Sequence, residues 1–191
     1  MSLTVIWILA ALSSWVPPLH PGADFTRYRS IAEDVVAVAY DASEPPVFKG
    51  PHGRAKTALE LAAIAALESQ LRADVDDGRV RGELGEVSIF QVLLPSQTAR
   101  VRLTPGGGYA YASARGDGWN YDDLITDRRK AAHVALAKVR ESWKACGNLS
   151  LYTSGACSDD EPKAKHRHAY AERWLRRVPA PTTDAEAMPP S

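Results

Sequence analysis

Between residues 58 and 67 every position except Glu60 is apolar, inside a helical stretch covering residues 55–71. A helix that is apolar nearly all round would leave one face in water if it lay at a surface, so it must be the central helix of a domain, wrapped by other elements. The rest of the chain has to supply the wrapping. At 191 residues it is long enough for one domain with a sizeable core and cramped for two. Three further helices are predicted. Tyr28, Ile31, Ala32, Val35, Val36 and Ala39 recur at helical spacing within residues 25–40, a stretch that stops before Pro45 and Pro46. Asp127 is an N-cap for a helix carrying Ala131, Val134, Ala135, Val139 and Trp143, which ends near Cys146. The last covers residues 162–178, with Ala171, Trp174, Leu175 and Val178 on one face.

Strand signal is confined to residues 99–103 and 109–112, which alternate on either side of Pro105, Gly106, Gly107 and Gly108 and read as a hairpin. Residues 74–85 form a polar loop and 87–94 a short apolar segment. The fold class expected is therefore mainly α (α+β), a helical domain with a small β-hairpin. No internal repeat is present.

Residues 3–12 form an apolar run closed by Ser13, Ser14, Pro17 and Pro18. It is shorter than the roughly 20 residues of a spanning helix, so no stable membrane span is expected, and its length suits a signal-peptide core. No Lys or Arg precedes it, and the alternative is an N-terminal helix packed on the body. Residues 1–24 thus read as a signal-like segment and linker, 25–178 as the folded body, and 179–191 as a tail of disordered composition. Cys146 and Cys157 flank a loop-like stretch that a disulfide would close, stabilising by roughly 2–4 kcal/mol and fitting a periplasmic or secreted protein; two reduced thiols are the alternative. Lys+Arg and Asp+Glu both total 23, so there is no basic excess to attract nucleic acid, and none is expected as a partner.

The candidate for chemistry is Glu68. It lies seven residues after Leu61 and four after Ile64, continuing the apolar stripe of the central helix. Burial and the negative end of the helix dipole would raise its pKa, whereas pairing with Arg72 one turn on would lower it. The first outcome makes a general acid, the second a structural ion pair.

Around it the order of motifs is Glu68-Ser69 at a helix end, then Gly85-Glu86-Val87-Ser88-Ile89-Phe90-Gln91, then Leu151-Tyr152-Thr153-Ser154-Gly155. This order resembles the lytic transglycosylases of the lysozyme-like superfamily, over residues 57–175. Ser88, Leu71 and Thr153 depart from that pattern, where Gly, an aromatic and Asn are common. The resemblance implies a lysozyme-like helical fold, with peptidoglycan glycan strands as substrate and neither metal nor organic cofactor. It makes Glu68 the single acid/base, Gln91 a wall of the saccharide groove, and Tyr152 a hydrogen-bond partner that orients Glu68. Ser69 would hold the helix end, and Gly155 would let glycan and backbone approach closely. The source would be a bacterium or a phage, and the chain a monomer.

Two alternatives accompany this reading. A hydrolytic lysozyme needs a second carboxylate, for which Asp74, Asp76, Asp77, Glu83 and Glu86 are candidates in the loop beyond Glu68. A non-catalytic glycan-binding or structural domain of the same fold is the other. Elsewhere, His166 and His168 are two apart on a helix and cannot clamp one metal. Cys146 with His133 as base is a weaker reading than the disulfide. The segment from Pro105 to Gly108 lacks the Lys-Ser/Thr of a phosphate loop. Tyr109, Tyr111, Trp119 and Tyr121 gather at the hairpin, either to stack on sugar rings or to pack.

Overall fold

The computed structural model describes residues 1–181; residues 182–191, the greater part of the tail expected to be disordered, lie outside the described residues. Among the described residues eight helices and one hairpin follow in the order α1 (Leu3–Trp15), α2 (Pro21–Ala39), α3 (Gly53–Ser69), α4 (Ala73–Asp76), β1 (Arg100–Thr104), β2 (Gly108–Ala112), α5 (Tyr121–Thr126), α6 (Arg128–Cys146), α7 (Ser150–Ser154) and α8 (Pro162–Arg177). The protein is mainly helical with one small two-stranded antiparallel sheet, as the apolar patterning predicts.

α3 is the axis of the domain. Leu59, Leu61 and Ile64 are fully buried, as are the alanines between them, and α1, α2, α6 and α8 all pack against it. Small side chains along the axis let four neighbours come close, which is how one helix can be surrounded. The polar exception, Glu60, is also buried, and its Oε2 lies 3.1 Å from Nδ1 of His168 on α8.

The apolar run at the N-terminus is a helix of the core. Ser2 caps α1 by accepting from the Val5 amide, and Val5, Trp7, Ile8, Leu9, Ala11 and Leu12 are buried against α2 and α3. Trp7 Nε1 donates to the Val178 carbonyl at 3.0 Å, tying the start of the chain to the end of α8. Because α2 starts at Pro21 rather than residue 25, the expected linker shrinks to residues 16–20. Among the described residues no helix is long and apolar enough to cross a membrane.

Two charged clusters brace the periphery. Arg128 on α6 reaches Asp34 on α2 (2.7 Å) and Asp76 on α4 (2.5 Å), and Arg27 joins Asp76 at 3.2 Å. Glu44, buried after α2, accepts from Arg140 Nη2 and pairs with His133 Nδ1, both at 2.6 Å. β1 and β2 pair from Arg100 with Ala112 to Thr104 with Gly108. Asp127 caps α6 by accepting from the Arg129 and Lys130 amides. The Cys146–Cys157 disulfide forms, joining the end of α6 to the loop before α8.

Candidate active-site cleft

Ser69 closes α3. Its Oγ donates to the Ala65 carbonyl at 2.7 Å and accepts from the Leu71 amide at 3.1 Å, while Gln70 and Leu71 both turn into the left-handed region (φ 50° and 54°). The chain leaves the helix abruptly there, so Glu68, one residue earlier, is left at the edge of the core. Its side chain is 18% exposed and forms part of a cleft of about 740 Å³.

One wall of the cleft comes from the loop after α4, with Gly82, Glu83, Glu86 and Gln91. A Cβ on Gly82 would run into the Glu86 and Gln91 side chains, so the absence of a side chain there is what lets both lie in the wall. Ser88 and Gln91 hold left-handed backbone (φ 65° and 48°) and bracket a tight turn in which Val87 and Val92 exchange hydrogen bonds. With Gln70 and Leu71, four non-glycine residues flanking the cleft occupy a conformation that costs of order 1 kcal/mol each.

The opposite wall is α7 with the turn after it, contributing Tyr152, Thr153 and Gly155; Gly155 is the left-handed cap of α7 (φ 75°). Thus Glu68, Gln91, Tyr152 and Gly155 line one cleft, whereas Ser69 lies beneath it and acts on the helix end. Tyr152 does not bond Glu68. Its hydroxyl donates to the Phe90 carbonyl at 2.5 Å, joining α7 to the Gln91 loop across the cleft floor. Burial and the nearby Glu68 charge push its phenol well above the ordinary tyrosine value, so it stays neutral and a donor.

Arg72 does not reach Glu68 either; it pairs with Asp74 at 2.5 Å on the surface. The partner of Glu68 is Arg167 on α8, whose Nη2 donates to Glu68 Oε1. Burial pushes the Glu68 carboxyl up, Arg167 and more weakly Lys163 pull it down, and Glu86 adds to the rise; the net direction is upward. Of the acidic residues proposed as a second carboxylate, Glu83 and Glu86 line the cleft. Asp74, Asp76 and Asp77 are engaged by Arg72, by Arg27 and Arg128, and by Arg79.

Arg167, Lys163 and Lys138 are cleft residues that the sequence reading passes over. A signal for Arg167 exists, since it precedes Ala171 by four and Trp174 by seven residues and so lies on the buried face of α8. Of the hairpin aromatics only Tyr111 reaches the cleft, where its hydroxyl accepts from Lys138 Nζ at 2.8 Å. Tyr121 is buried and bonds Leu94, and Tyr109 donates to Glu141 at 2.5 Å. With Cys146 in the disulfide and His133 on Glu44, no cysteine nucleophile pair forms. Comparison of the chain with family models, with curated proteins and with solved structures gives no match.

Proposed function

We propose that the cleft is the active site of a peptidoglycan lytic transglycosylase in which Glu68 is the lone acid/base. The observation that carries this reading is the convergence of Glu68, Gln91, Tyr152 and Gly155, distant in sequence, on one open cleft with Glu68 partly exposed to it. Burial favours the protonated carboxyl that a general acid requires. Protonation of the glycosidic oxygen between N-acetylmuramic acid and N-acetylglucosamine releases the leaving sugar. Glu68, now a carboxylate, takes the proton of the muramyl C6 hydroxyl as that oxygen bonds C1, closing a 1,6-anhydro ring without water. Gln91 serves as a polar wall for the glycan, and Tyr152 holds the Gln91 turn through Phe90. The chain would work in the periplasm or outside the cell, an oxidising setting in keeping with the Cys146–Cys157 disulfide.

Hydrolysis is the second reading, favoured by Glu83 and Glu86 in the same cleft. Mass analysis of muropeptides released from purified sacculi separates the two: anhydro ends support the transglycosylase and reducing ends the hydrolase. Absence of release by the unmutated protein would sink both and leave a glycan-binding or structural domain.

A further inference from the structure

Arg167 is 6% exposed, yet it lines the cleft. A guanidinium carries five N–H donors in a fixed fork. Here only Nη2 is engaged, by Glu68; Nε and Nη1 are buried without a hydrogen-bond partner. Donors left unpaired inside a protein are costly, so Arg167 is poorly served where it sits and gains by turning toward any acceptor that enters the cleft. Lys163 lies four residues earlier on α8, lines the same cleft, and its ammonium makes no hydrogen bond or ion pair among the described residues. Two cations one helical turn apart, one of them with idle donors, are built to share an anion.

We propose that Lys163 and Arg167 form a receptor for a carboxylate carried by the glycan, and that its arrival draws Arg167 off Glu68. The charged and titratable groups that share the cleft with Glu68 include Arg167 and Lys163 from α8, Glu83 and Glu86 from the loop, Tyr152 from α7 and Lys138 from α6. Once an incoming carboxylate neutralises the two cations, the influences left on Glu68 are burial and Glu86, both of which favour its protonated form. The acid is therefore armed by the substrate. An uncharged oligosaccharide leaves the Glu68–Arg167 pair closed. Two parts of peptidoglycan carry the required group: the lactyl carboxylate of a muramic residue free of peptide, and the carboxylates of the stem peptide.

The glycan-cleaving reading supplies the identity of the ligand, but the test needs no cleavage. In the full-length protein labelled with carbon-13 in glutamate carboxyls, Glu68 is assigned with Glu68→Gln and titrated by NMR. The titration is run alone and with N-acetylmuramic acid, muramyl dipeptide or chitotriose. A carboxylate ligand raises the Glu68 midpoint and chitotriose does not; which of the two acts identifies the lactyl or the peptide source. Lys163→Gln, an exposed position, weakens the carboxylate ligand about tenfold or more and leaves chitotriose binding unchanged. Arg167→Gln raises the Glu68 midpoint without ligand, and ligand then adds nothing; should that variant fail to fold, the three ligands and Lys163→Gln decide the matter. Carboxylate ligands that bind no tighter than chitotriose, or that leave the Glu68 titration unmoved, overturn the receptor. A protein that shifts as expected but releases nothing from sacculi keeps the receptor and loses the enzyme.

Discussion

Glu68 is held between opposing influences. Burial raises its pKa and the Arg167 guanidinium lowers it, with the balance upward. Replacing the acid with Glu68→Gln removes the proton donor, and muropeptide release from sacculi is expected to fall by about 10²–10⁴-fold. Turnover on the proposed mechanism needs the protonated form, so the rate falls as pH rises through the folded-state pKa of Glu68, which burial raises above a glutamate's ordinary value. Arg167→Gln removes the largest downward influence in the free enzyme and moves the descending limb of kcat/KM to higher pH, which a pH profile of release at low substrate measures directly. A limb that stays in place would detach Arg167 from the proton on Glu68. At this scale the sequence is informative about faces and silent about partners. Spacing from Leu61 and Ile64 places Glu68, and spacing to Ala171 and Trp174 places Arg167, each on a buried face. Nothing local says that these faces meet, nor that Tyr152 finds the Phe90 carbonyl, because those pairings depend on how α3, α7 and the loop between are stacked.

Elements bring those residues together, and α8 is the one that completes the cleft. Two ion pairs hold it on α3: Arg167 with Glu68, and His168 with Glu60. The hydrogen bond to Glu60 raises the His168 pKa above its unfolded value. A group of that kind contributes stability that is fully present below the unfolded pKa and lost as pH rises through the folded one. The midpoint of thermal unfolding is therefore expected to fall from mildly acidic to mildly alkaline pH, and the slope to flatten in His168→Gln; an unchanged slope would remove His168 from the docking of α8. The disulfide fixes the approach to the same helix by closing a loop of sequence separation 11. Cys146→Ser with Cys157→Ser should cost about 2–4 kcal/mol, measured by denaturant unfolding. Long helices and the hairpin were legible from periodicity, caps and glycines. The short α4, α5 and α7 were not, since four to six residues carry too little period to detect. α5 does leave a trace in Asn120 and Asp123, which cap each other's backbone.

For the molecule as a whole, α1 is the part whose role composition leaves open between a signal-peptide core and a packed helix. An uncharged apolar helix of 13 residues suits a leader, and only its contacts reveal core packing. Val5, Trp7, Ile8, Leu9 and Leu12 are buried, at about 1.5–3 kcal/mol for each large side chain. That sum is comparable with the entire stability of a domain, about 5–15 kcal/mol. Deleting residues 1–15 should abolish cooperative unfolding, and N-terminal sequencing of the folded protein should find those residues retained; a truncated chain that melts like the intact one would count against α1 as core. The bond from the Trp7 indole to the Val178 carbonyl also sets a schedule for synthesis. The ribosome makes α8 more than 140 residues after α1, so the earlier helix waits, partly uncovered, for the later one. Arg167 arrives on that same closing helix. A nascent chain thus carries its acid before the cation that restrains it.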